Sequence, residues 1–137
     1  MANPSELDAK IVEDVADALI YSDRSGTIVR WNRASTGLFG FSADEALGQN
    51  LDLIVPEHLR AAHWKGFEAA IASGSMKLAG RPTLTRALHK SGRKLYIEMT
   101  FALVRAAGGA VLGSVAMARD VTERVERERA AKAAQNS

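Results

Sequence analysis

The hydrophobic pattern is clearest in residues 56–71. Leu59, Ala62, His63, Gly66, Phe67, Ala70 and Ile71 recur at spacings of three and four and share one stripe, while Arg60, Lys65 and Glu68 lie off it. This predicts an amphipathic helix begun by Pro56 and ending near Ser73-Gly74. Upstream, Ser5 with Asp8 three residues on reads as the start of a first helix, whose narrow stripe is Leu7, Ile11, Val12 and Val15. So little apolar surface cannot hold a helix alone, and it must lie on the rest of the domain or on a partner. Ala18 to Ser22 and Thr27 to Trp31 read as strands joined by the turn Asp23-Arg24-Ser25-Gly26. Asn32 is a good cap for a short helix over 33–38 that Gly40 breaks, and Ser42-Ala43-Asp44-Glu45 is a capping box opening another that Gly48 closes.

The second half alternates with a period of two. Thr83 to His89 and Arg93 to Val104 read as strands around Lys90-Ser91-Gly92, and a turn at 105–109 leads into a last strand over 110–118. In the long strand Leu95, Ile97, Met99, Phe101 and Leu103 make one apolar face. The predicted fold is α+β: a five-stranded antiparallel sheet covered on one face by short helices and one long helix, with a flanking helix at each end. Leu84, Leu88, Tyr96, Val104 and Leu112 project to the other face, too apolar to be left wet, so the N-terminal helix or a second copy should cover it. Beyond Asp120-Val121-Thr122 comes a charged helix over 123–132 with a weak seam, which reads as a connector or, for the residues beyond Ala130, as a frayed end. The expected organisation is an N-terminal flanking helix over 1–16, a core domain over 17–120 and a connector over 121–137.

Composition narrows the chemistry. At 137 residues one domain is expected. With no cysteine there is no disulfide, thiolate metal site, iron–sulfur cluster or cysteine nucleophile. The net charge of +2 comes from 18 Lys and Arg spread among 16 Asp and Glu, without the basic stripe of a nucleic-acid binder. No apolar run is long enough to span a membrane, and the first residues lack the regions of a secretory signal, so a cytoplasmic setting is expected. No nucleophile–base cluster, G-x-G-x-x-G or Walker pattern occurs, and His58 and His89 read as surface residues, so an enzyme is not expected.

That leaves His63. It is the one ionisable side chain in the stripe of the long helix, and Gly66 one turn on leaves space beside it. A neutral imidazole among apolar groups with a gap alongside suits an axial ligand to a flat iron macrocycle. It equally suits a core histidine whose nitrogens are satisfied by backbone or water.

Over residues 17 to 124 the chain resembles a PAS domain. The resemblance is carried by Asp17-Ala18-Leu19-Ile20, Asp23-Arg24-Ser25-Gly26-Thr27-Ile28, Trp31-Asn32-Arg33-Ala34, Leu38-Phe39-Gly40-Phe41-Ser42, Glu45-Ala46-Leu47-Gly48, Ile54-Val55-Pro56-Glu57, Lys90-Ser91-Gly92-Arg93 and Arg119-Asp120-Val121-Thr122-Glu123-Arg124. It implies a sensory, non-enzymatic fold with a pocket between sheet and long helix. It also implies a relay at Asp120, Val121 and Thr122 into the exit helix, a homodimer formed through the outer sheet face and terminal helices, and a downstream effector such as a kinase, cyclase, phosphodiesterase, chemoreceptor or transcription regulator.

The run Ile54 to His63 is similar to that of haem-binding, gas-sensing PAS domains of histidine kinases and cyclic-dinucleotide phosphodiesterases. This implies haem b with His63 as proximal ligand, and a site that also takes in Gly66, Phe67, Leu78, Arg81, Thr83, Met99 and Phe101. Met99 and Phe101 fall at apolar distal positions, and Arg81 stands where one subgroup has a methionine ligand. Thr83 stands where the oxygen-binding members carry an arginine, a part that Arg81 could take if the strand is shifted. The alternatives are a haem-free domain sensing a small organic ligand or a non-covalent flavin rimmed by Trp31 and Asn32, and a pure dimerisation or interaction module. A light-sensing flavin is not expected, because its photochemistry needs a cysteine.

Overall fold

The structure, a computed structural model, describes residues 3–76 and 80–136. The turn residues act first. Asp23 accepts from the Ser25 and Thr27 amides at 2.9 and 3.1 Å, and Gly26 supplies the positive φ of 84° that the reversal needs, joining β1 (Ala18–Asp23) to β2 (Ile28–Trp31). With β3 (Thr83–Leu88), β4 (Lys94–Arg105) and β5 (Val111–Asp120) they form one antiparallel sheet in the order β2-β1-β5-β4-β3. The α+β expectation holds, and each strand lies within two residues of where the alternation puts it.

Register sorts the side chains by face. Ala18, Ala118, Met99 and Thr83 are successive cross-strand partners along one row, and Trp31, Ile20, Ala116 and Phe101 form the next. These rows belong to the covered face. The opposite face carries Leu84, Arg86, Tyr96 and Glu98, since Leu84 pairs with Glu98 and Arg86 with Tyr96.

The short helices sit over β1 and β2. In α2 (Arg33–Phe39), Asn32 caps by accepting from the Ser35 amide at 3.0 Å, and Gly40 ends the helix at φ 84°. Asn32 also accepts from the Leu19 amide at 2.9 Å and donates to the Asp17 carbonyl at 3.0 Å, which fastens helix to strand. Trp31 is buried against Phe39 with ring centroids 5.5 Å apart, and its indole N–H donates to the Phe41 carbonyl at 3.0 Å. Trp31 and Asn32 are therefore a strand end and a helix cap, fully engaged by the core. The capping box at Ser42 and Glu45 opens α3 (Ala43–Ala46) as expected.

Two expectations are corrected. The first helix, α1 (Pro4–Asp14), is capped by Asn3 reciprocally with Glu6, one box earlier than Ser5 and Asp8. Proline fits the first helical position, which moves the cap back to the residue before Pro4. Pro56 opens a 3-10 turn over Glu57–Leu59 before α4 (Arg60–Ser73) begins, since proline offers no side-chain acceptor and the first turn closes by Leu59 donating to the Pro56 carbonyl at 2.9 Å. The last helix, α5 (Thr122–Gln135), continues past Ala130. No helix among the described residues is long and apolar enough to cross a membrane.

Candidate functional site

The long helix is fastened at its ends. At its start the Arg60 guanidinium donates to the Val55 carbonyl at 3.0 Å and the Asp52 carbonyl at 3.3 Å, and the Trp64 indole donates to the Asp52 carboxylate at 2.8 Å. The Trp64 ring lies so close over Gly26 that a Cβ there would come within 2.2 Å of it. At the far end the Arg105 guanidinium donates to the carbonyl of Gly74, the residue that ends α4 in the left-handed region. Between these tethers His63, Phe67, Ala70 and Ile71 are half-buried and no residue of α4 is fully buried, whereas the much shorter α2 buries Ser35 and Phe39. Sheet–helix layers normally interdigitate to crystal-like density. Here α4 covers without closing.

His63 is the chemically distinctive group on that helix. Its ring stacks on Phe67 at 6.0 Å between centroids and meets Trp64 edge-on at 4.7 Å. Its Nδ1 is buried without a hydrogen-bond partner. Burial pushes its pKa below the ordinary value against the opposing charge of Asp52, so the ring is neutral near pH 7 and presents a lone pair. Most buried polar atoms are satisfied, so an orphaned imidazole nitrogen marks a place where something other than packing set the residue.

The sheet opposite is low along its centre. Ala118 and Ala116, on the central strand β5, stand between Met99 and Phe101 of β4 and Ala18 and Ile20 of β1. Small residues there leave height above the floor. A cavity of about 540 Å³ is lined among others by Gly74, Met76, Gly80, Phe101 and Arg105, with Met117 of β5. His63 is not among its lining residues.

The expected site residues thus fall into separate groups. His63 and Phe67 share the half-buried face of α4, but Ala62 and Gly66 are exposed, so the stripe is narrower than its spacing suggests. The open space at Gly66 lies on the exposed side of the helix. Thr83 is the cross-strand partner of buried Met99, and half-buried Phe101 borders the cavity. Arg81 is exposed ahead of β3, and Leu78 lies outside the described residues. Among the described residues no hydrogen bond or ring contact joins the α4 group to the sheet group.

At the exit, Thr122 Oγ accepts from the Tyr96 amide at 2.9 Å, the Val121 amide donates to the Tyr96 carbonyl at 2.9 Å, and Asp120 accepts from the Thr122 amide at 2.9 Å. The junction is sewn to β4. His58 is exposed as expected, but His89 is half-buried with its ring over Gly40, where a Cβ would come within 2.6 Å. Sequence reasoning missed Trp64, Asp52 and Arg105 because each acts through a partner distant along the chain. Only the Trp64–Asp52 pair, an indole donor and a carboxylate, carries a chemical hint.

A five-stranded sheet with a half-closed long helix above it is the architecture of a small sensory module. The family model described as PAS fold matches residues 6–121, and the chain belongs to the PAS family, whose members are sensory domains. Over 53 residues, 39% of this chain, it is 40% identical to the sensor protein FixL of Bradyrhizobium diazoefficiens. Over 81 residues, 59% of this chain, it is 26% identical to the oxygen sensor protein DosP of Escherichia coli. The chain spans 10% of the length of each of these relatives. Among solved structures, a PAS domain from Colwellia psychrerythraea superposes with a TM-score of 0.75 over 88% of this chain and 99% of its own, at 24% identity.

Proposed function

We propose that this domain takes a small ligand between α4 and the sheet, that haem b is the occupant its residues suit best, and that it serves gas or redox sensing. The observation that carries this reading is His63, a neutral imidazole whose buried Nδ1 has no hydrogen-bond partner among the described residues, on a helix that buries none of its residues fully. The resemblance of residues 54–63 to haem-binding PAS domains supports it, as do relatives named as a sensor and as an oxygen sensor.

In this reading His63 would hold the iron, and Phe67, Met99 and Phe101 would supply apolar walls. Thr83 or Arg81 would stand on the distal side. Bound there, the haem would supply a coordination position sensitive to diatomic gases or to iron oxidation state. The protein's own part is to hold the imidazole neutral, to keep water away from its buried edge, and to present the row of Ala118, Met99 and Thr83 as a floor. Displacement of that floor would travel along β5 to Asp120, Val121 and Thr122 and reach α5 through Tyr96. We further propose a core over 17–120 with flanking segments over 1–16 and 121–137. It would work as a homodimer in a larger signalling protein, such as a two-component kinase, whose effector follows α5.

The second reading is a haem-free domain that takes a small organic ligand. It draws on the cavity beside Met76 and Phe101, whose lining mixes apolar side chains with Arg105 and omits His63.

Absorption spectroscopy after haem addition separates the two. The expected result is a Soret band that His63→Ala abolishes while the far-ultraviolet circular dichroism is unchanged. If no His63-dependent band forms, the haem reading is wrong and the small-ligand reading stands in its place.

A further inference from the structure

A second cavity, of about 420 Å³, lies on the other side of the molecule from the alanine floor, bordered by the 3-10 turn before α4, the edge strand β3, the start of β4 and the exit helix α5. Leu59 and Leu84 form its apolar wall, Tyr96 lies at its base, and His58, Arg86 and Arg129 supply its polar groups. No carboxylate lines it. Some arginines elsewhere meet acids, as Arg33 meets Asp14 at 3.3 Å, Arg119 meets Asp17 at 3.0 Å and Arg124 meets Glu98 at 3.6 Å, and others reach backbone carbonyls, as Arg24 reaches that of Val111. Arg86 and Arg129 instead lie over the Tyr96 ring, 5.6 and 4.8 Å from its centroid.

Sharing one ring brings two like charges together, and the π face attracts each of them without using their N–H donors. Among the described residues, neither guanidinium directs its planar fork of donors at a protein acceptor. Two such forks from different elements, with no acid between them, match a tetrahedral group with several oxygens better than a single carboxylate. The apolar wall suits the body of a molecule that carries that group.

We propose that this groove binds a phosphate-bearing small molecule, held between Arg86 and Arg129, and that its occupation clamps α5 onto the sheet. The geometry favours the coupling. Arg86 belongs to β3 and Arg129 to the second turn of α5 beyond the Thr122–Tyr96 junction, so an anion bridging them closes a ring through Tyr96. Without it, α5 is held to the sheet by that junction, buried Val125 and the partly exposed pair Arg124–Glu98.

The test uses the full chain without haem, so it is independent of the reading at His63. Sodium pyrophosphate is titrated at constant ionic strength and followed by amide chemical shifts, with α5 hydrogen exchange measured at both ends of the titration. The expected result is saturable shifts at Arg86, Tyr96, Thr122 and Arg129 and slower exchange along α5. Arg86→Gln and Arg129→Gln should each weaken binding about tenfold or more, and the lysine variants, which keep the charge but lose the fork, less than glutamine. Three results would overturn it: no saturable shift, equal affinity in both glutamine variants with unshifted spectra elsewhere, or acetate acting as well as pyrophosphate.

Discussion

Asp52 carries two jobs at the head of α4. Its carboxylate takes the Trp64 indole proton, and its charge is the one influence that favours a protonated His63 against the desolvation that opposes it. Desolvation wins, so the folded protein binds the His63 proton less readily than the unfolded chain. The unfolded state therefore takes up more protons as pH falls below the ordinary histidine value, and stability drops with it. The expected outcome is a loss of urea stability between about pH 7 and about pH 5 that is smaller in His63→Gln. Equal slopes in both proteins would mean that His63 is not the titrating group. Asp23 acts in a separate window. The Ser25 hydroxyl and the backbone amides of its turn hold its carboxyl below the usual range, so its contribution is present above about pH 4 and lost on further acidification.

Elements differ in how firmly each is held, and the difference follows function. At the junction of β2 and α2, Asn32 is 1% exposed and its side chain joins Asp17, Leu19 and Ser35. Asn32→Ala removes the cap and leaves buried backbone groups unpaired, for an expected cost of about 2–3 kcal/mol in denaturant unfolding. A cost below about 0.5 kcal/mol would show that water replaces the side chain. By contrast α4 is tied by Arg60, Trp64 and Arg105 and buries none of its residues fully, so its amides are expected to exchange faster than those of β1, β2 and α2. The exit helix is intermediate: Val125 is 6% exposed against the sheet, yet most of α5 beyond it is solvated.

Across the whole molecule the two faces of the sheet are treated unequally. One face is roofed by α2, α3 and α4, and on the other α5 covers only the start of β4. Leu84 and Leu112 remain 54% and 46% exposed, and Leu7 and Ile11 of α1 are each 52% exposed. Large apolar side chains left wet on the outer face and, separately, on α1, which lies against α2, suit a second copy. Light scattering is expected to give a dimer mass that Leu7→Glu with Ile11→Glu reduces to a monomer; a monomer mass for the unaltered chain at high concentration would end the pairing hypothesis. Much of this fold was legible in the chain, because period-two alternation in β3 to β5, the turn residues at Asp23 to Gly26 and the caps at Asn32 and Ser42 are local signals that need no tertiary partner to act. The position of Ser5 misled only because Pro4 beside it exerts a stronger local constraint. That His63 is half-buried on the inner side of α4 was also legible, since it falls in the apolar stripe of that helix. What the fold alone decided is distance. Whether α4 closes on the sheet, that Trp64 rests on Gly26, that Arg105 reaches Gly74, and that Arg86 and Arg129 meet over Tyr96 all depend on segments brought together across the chain, and spacing along a sequence says nothing about spacing through it.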